Sequence, residues 1–121
     1  EYIWQTIHDL HADRIDHGVR CIEDPALVEF LKKTQLPLTV CPLSNTRLNI
    51  FKPQDHPLKR LLEAGINVSI HSDDPAFFGG YINENYAYAH TKIGLTRAQL
   101  VQSARNSIVS SFADDEEKAE M

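Results

Sequence analysis

Three short apolar segments, each followed by a stretch with helical periodicity, constrain this chain more than any other feature of its sequence. They are Asp13 to Val19, Leu36 to Cys41 and Ile66 to Ile70, and each has the length and character of a strand. Helical signals separate them. Leu27, Val28, Phe30 and Leu31 form a stripe after the acid-and-proline start Glu23-Asp24-Pro25, and Leu58, Leu61 and Leu62 mark a helix from Pro57 to Ala64 that Gly65 closes. In front, Ile3, Trp4, Ile7 and Leu10 predict an amphipathic helix over 1–11; behind, helices are predicted over 83–93 and 96–112. The last of these takes Thr96 as its N-cap and Leu100, Ala104 and Ile108 as its packing side, and the tail from Asp114 to Glu120 reads as a charged helix or a frayed end. Strands that alternate with helices pair in parallel, so the predicted fold class is α/β.

In parallel α/β proteins chemistry collects where strands end. Three unusual clusters fall there: Asp16-His17-Gly18, Cys41-Pro42-Leu43-Ser44-Asn45 and Ser72-Asp73-Asp74-Pro75. Strand alternation places Ile15, His17 and Val19 on one face and Arg14, Asp16 and Gly18 on the other, so His17 is expected among apolar residues. The alternation of Ile66-Asn67-Val68-Ser69-Ile70 predicts a strand with one face in the core. Pro75 keeps Asp74 out of helical geometry, and Gly79-Gly80 permits backbone shapes that other residues resist. Two carboxylates at a strand mouth need a cation, a donor-rich ligand or water. Asp-Asp-Pro is by itself also an ordinary turn, Pro42 to Asn45 reads as a turn, and Ser44 and Asn45 suit a pocket wall and a strand terminus equally well.

The 121 residues amount to one modest domain, and 42% hydrophobic with 24% charged residues fits a globular chain. A net charge of −5 with scattered basic residues leaves no footprint for nucleic acid. No apolar run approaches the roughly 18 residues of a membrane span. A small-molecule partner is favoured. Cys21 and Cys41 form no Cys-x-x-Cys pair and are expected as reduced, buried thiols. The opening Tyr2 to Ile7 reads as the interior of an ordered element, so the natural start is expected upstream of Glu1.

Arg14-Ile15-Asp16-His17-Gly18-Val19-Arg20, Cys41-Pro42-Leu43-Ser44-Asn45 and Ser72-Asp73-Asp74-Pro75-Ala76-Phe77-Phe78-Gly79-Gly80-Tyr81 together resemble the adenosine and adenine deaminase family. The second and third motifs are nearer in form to the adenine-specific members. The resemblance implies a (β/α)₈ barrel, of which residues 1–121 would be the C-terminal segment, three βα units with the closing helices. It also implies a cytoplasmic zinc enzyme that converts adenine to hypoxanthine and ammonia. Adenosine is the alternative substrate, and a non-catalytic fragment the alternative of another class. By the same resemblance Asp73 would be the carboxylate ligand of Zn2+, Asp74 would bind the purine at N7, and His17 would be catalytic, orienting the attacking water and stabilising its charge. The family's His-x-His pair and His-Ala-Gly-Glu segment have no counterpart here. The remaining ligands and the acid are therefore expected from the N-terminal part of the barrel, and residues 1–121 alone are expected to fold poorly and lack activity.

His71 is read as non-ligating although it stands two residues before Asp73. His8, His11, His56 and His90 are expected to be solvated, and Phe77, Phe78 and Tyr81 to pack on a neighbouring helix.

Overall fold

A computed structural model describes residues 1–121. Its centre is a three-stranded parallel sheet in the order β1 (Ile15–Asp16), β2 (Leu38–Val40), β3 (Val68–Ile70). Helix α1 (Tyr2–His8) precedes β1, α2 (Pro25–Thr34) joins β1 to β2, and α3 (Pro42–Arg47) and α4 (Leu58–Glu63) join β2 to β3. After β3 come α5 (Pro75–Phe78), α6 (Ile82–Tyr88), α7 (Arg97–Val109) and α8 (Asp115–Glu120). The α/β class with about three βα units is as predicted.

The pairing register explains the two faces of the sheet. Ile15, Leu38 and Val68 lie in one row and Asp16, Thr39 and Ser69 in the next, with Val40 beside Ile70. Side chains alternate along a strand, so Ile15, Leu38, Val40, Val68 and Ile70 share one face. That face meets Leu27, Leu31, Leu58 and Leu61 of the helices in a single apolar core. Burying these side chains is the main favourable term in the fold, at about 1.5–3 kcal/mol each. Asp16, Thr39 and Ser69 occupy the other face, which is polar.

Helix termini are fixed by side chains the sequence places there. Asp24 accepts from the backbone of Ala26 and Leu27 at the start of α2 at 3.0 and 3.3 Å, and Trp4 Nε1 donates to its second oxygen at 2.8 Å. Trp4 also packs edge-on against Phe30 at 5.3 Å, docking α1 on α2. These donors, Trp4 foremost, hold the Asp24 carboxyl below its ordinary pKa. Thr96 and Gln99 form a capping box on α7, and Asp114 and Glu117 another on α8, so the tail is a helix.

Several elements depart from expectation for identifiable reasons. β1 is two residues long because His17 and Gly18 both take positive φ, 61° and 68°, and Val19–Glu23 then coils as a 3-10 turn. Residues 42–47 form α3 rather than a turn, since Pro42 at the first helical position needs no amide hydrogen. Both faces of the third strand are buried, not one. Asn67 is satisfied by Ser110 Oγ at 3.1 Å and by the Gln35 carbonyl at 3.3 Å. α7 turns Ser103 and Asn106 inward and leaves Ala104 exposed. The orientation follows from Asn106 Nδ2, which donates to the Val68 carbonyl at 2.8 Å on the outer edge of β3.

Candidate active site at the strand ends

Just past β1 the His17 amide donates to the Thr39 carbonyl at 2.8 Å, which extends the parallel ladder by one residue. The left-handed φ of His17 then breaks the alternation that assigned it to the apolar face, and its ring turns into a cleft on the polar side. Past β3 the His71 amide continues the ladder to the Val40 carbonyl at 2.8 Å, and Asp73 takes φ +57°. His17 Nε2 and Asp73 Oδ2 thereby come within 3.6 Å, with the side chains 40% and 30% exposed. The cleft between them has a volume of about 370 Å³, and Arg14, Asp16, Thr39 and His71 complete its polar wall. A larger adjoining hollow of about 880 Å³ is bounded by His17, Ser44, Asn45 and Asp73.

Asp74 sits differently from its neighbour. It is the N-cap of α5, with Oδ1 accepting from the Phe77 amide at 3.2 Å, and it borders neither hollow. The cap uses one oxygen, which leaves the other for a ligand. Cys41 is the third potential donor near the pair: one atom each of His17, Cys41 and Asp73 lies within 4.8 Å of the others. Burial, and then the charges of Asp73 and Asp16, push the Cys41 thiol up to about 12, and its sulfur lies 3.7 Å from the Thr39 carbonyl, to which it donates. Without a metal, Cys41 is thus a neutral thiol engaged with the backbone. Asp73 suits a hard or borderline cation, and His17 adds an imidazole nitrogen. A catalytic zinc takes three protein ligands and keeps a fourth position open, so Asp73 fits as one member of a larger ligand set.

His71 lies outside that donor group, its Nε2 engaged with Ser69 Oγ at 2.7 Å. Burial foremost, and Arg14 second, lower its pKa. The expectation for His56 was wrong. It is 4% exposed rather than solvated, and it bonds to Asn45 Oδ1 at 3.1 Å. His56 directly precedes Pro57 and the buried Leu58, a position that favours burial, but the sequence names no partner for it. His8, His11 and His90 are exposed as expected. Phe78 is packed, whereas Phe77 and Tyr81 are exposed. Asn45 is part of the site through His17, with 3.4 Å between its Nδ2 and the ring Nδ1. Ser44 Oγ is buried with no hydrogen-bond partner.

The fold and the strand-end site define a portion of an α/β barrel with its polar groups at the C-terminal mouth of parallel strands. The model of the family described as adenosine deaminase matches residues 1–121, and the chain belongs to that family. It is 51% identical over its whole length to an adenine deaminase of Crocosphaera subtropica and 52% identical to one of Hahella chejuensis, spanning 37% and 36% of those proteins. It therefore covers about a third of the length of the curated relatives it matches. Among solved structures, the adenine deaminase of Arthrobacter aurescens superposes with a TM-score of 0.95 at 48% identity, over 98% of this chain and 37% of that one. An amidohydrolase from Burkholderia ambifaria with bound Zn gives 0.89 at 25% identity, over 98% of this chain and 34% of that one. No helix is long and apolar enough to cross a membrane.

Proposed function

We propose that the complete protein carrying these residues deaminates adenine hydrolytically to hypoxanthine and ammonia, and that residues 1–121 form the C-terminal segment of its single barrel domain. The observation that carries the reading is the approach of His17 to Asp73, 3.6 Å apart at the ends of separate strands, in a chain 51% identical to an adenine deaminase. Asp73 serves as the carboxylate ligand of zinc, and the other ligands and the ring-protonating acid come from the rest of the barrel. Zinc, when bound, supplies a Lewis acid that makes water nucleophilic at neutral pH. His17 orients that water through Nε2 and stabilises the charge that develops as the C6 position is attacked. Asp74 holds the purine at N7 through the oxygen its helix cap leaves free, with one proton shared between the two groups. Two free, buried cysteines are compatible with a reducing compartment such as the cytoplasm.

Turnover of adenine and of adenosine by the complete enzyme, followed by ammonia release, tests this reading. Preference for adenine is expected. A clear preference for adenosine, or no deamination of either, overturns it.

A further inference from the structure

The hydrogen bonds behind His17 run in one direction, and a single backbone amide sets that direction. The Leu58 N–H lies 3.1 Å from His56 Nδ1, and a backbone N–H only donates, so Nδ1 is the acceptor and the neutral ring carries its proton on Nε2. Nε2 lies 3.1 Å from Asn45 Oδ1 and donates to it. The amide is thereby oriented with Nδ2, which also only donates, toward His17 Nδ1 at 3.4 Å. His17 Nδ1 accepts, and a neutral His17 holds its proton on Nε2, the nitrogen that faces Asp73. Flipping the Asn45 amide would set two donors against each other at His56, so the His56 end alone fixes which amide atom faces His17. Asn45 and His56 are both buried, so water does not replace the bond between them. Phe51 packs beside the His56 ring, with centroids 5.8 Å apart. Burial also lowers the His56 pKa to about 4, which keeps the ring neutral at working pH.

We infer that Asn45 and His56 are positioning residues, a buried relay that fixes the tautomer of His17 so that Nε2–H points into the reaction site. The inference rests on the deaminase reading for its kinetic consequence, but the tautomer is a property of the protein alone. A His17 so held is a hydrogen-bond donor to the oxygen it faces, which matches an orienting role and leaves Nε2 without a lone pair for proton abstraction.

The test uses the complete protein with 15N-labelled histidine, without zinc for spectroscopy and with zinc for kinetics. The wild-type spectrum is expected to show His17, assigned by the loss of its signals in His17→Gln, protonated at Nε2 and bare at Nδ1. His56→Leu is expected to mix the two tautomers and lower kcat about tenfold or more with KM for adenine within twofold. His56→Gln keeps an N–H for Asn45 and is expected to restore both. Wild-type His17 protonated at Nδ1 overturns the relay, and so does a His56→Leu enzyme with unchanged tautomer and kcat. The wild-type spectrum decides the tautomer even where His56→Leu is too unstable to purify. An inactive wild type whose His17 tautomer still depends on His56 refutes the deaminase reading and leaves the relay standing; an active enzyme with an indifferent tautomer does the reverse.

Discussion

Gly18 follows His17 and has φ +68°, and the space beside its Cα is already filled. A Cβ there would lie 2.9 Å from Leu38 Cδ2 and 3.4 Å from Ile15 Cγ2, and Leu38 is fully buried in the middle strand. Gly18→Ala therefore incurs two costs. The left-handed backbone costs a non-glycine residue about 1–2 kcal/mol, and forcing a methyl into a packed core adds about 1–3 kcal/mol. The chain spans 37% of its relative's length, and in a protein of that size a total near 3 kcal/mol corresponds to a melting temperature roughly 4 °C lower, at about 1.5 °C per kcal/mol. Gly94 supplies the control, with φ +88° and no atom within 4 Å of a Cβ. Gly94→Ala carries the backbone cost alone, about 1 kcal/mol or roughly 1.5 °C. Thermal unfolding of the two variants of the complete protein separates packing from backbone. Equal losses, within about 0.5 kcal/mol, would refute the packing cost assigned to Leu38 beside Gly18.

Three other outcomes are expected. Because burial lowers the His56 pKa from 6.5 to about 4, the unfolded chain binds a proton in that window that the folded one does not; stability is full above pH 6.5 and falls as pH drops toward 4, by on the order of 3 kcal/mol, and His56→Gln should flatten this part of a denaturation-versus-pH curve. Asp73→Asn should lower zinc content, read by metal analysis, and activity by more than about a hundredfold; retained zinc would remove Asp73 from the ligand set. Residues 1–121 on their own should self-associate in light scattering, since the outer edge of β1 carries no partner strand, and a monomer with a cooperative transition would contradict this.

The sequence made legible what depends on periodicity and punctuation. The helix start at Glu23-Asp24-Pro25, Thr96 as a cap, Gly65 as a helix stop and the three parallel strands are all where the pattern places them. Strand parity failed at His17, because alternation assumes that the strand continues and the backbone turns left-handed there instead. The packing side of α7 was legible only in part: Leu100 packs on the core, but Ala104 is exposed, because the helix is oriented by Asn106 and Ser110 bonding to β3 and its flank. His56 and Asn45 are eleven positions apart, and their contact arises only when the loop after α3 folds back; no local signal encodes it.

His17 and Asp73 share a construction that ties the fold to the chemistry. Each follows a strand whose ladder is extended by a main-chain bond of 2.8 Å, at His17 itself in one case and at His71 in the other, and each then takes positive φ. Left-handed backbone at a non-glycine residue costs on the order of 1–3 kcal/mol and persists only where the surroundings over-determine it. Here the ladder fixes where each residue begins and the turn fixes where its side chain points. At His17 Asn45 then holds the ring in place. The sheet thus supplies position to within a hydrogen bond and the strained turns supply direction, which is how two residues 56 positions apart in the chain converge to 3.6 Å. A side chain placed by strand parity alone would have left His17 among the leucines of the core, so the site exists because the strands stop where they do.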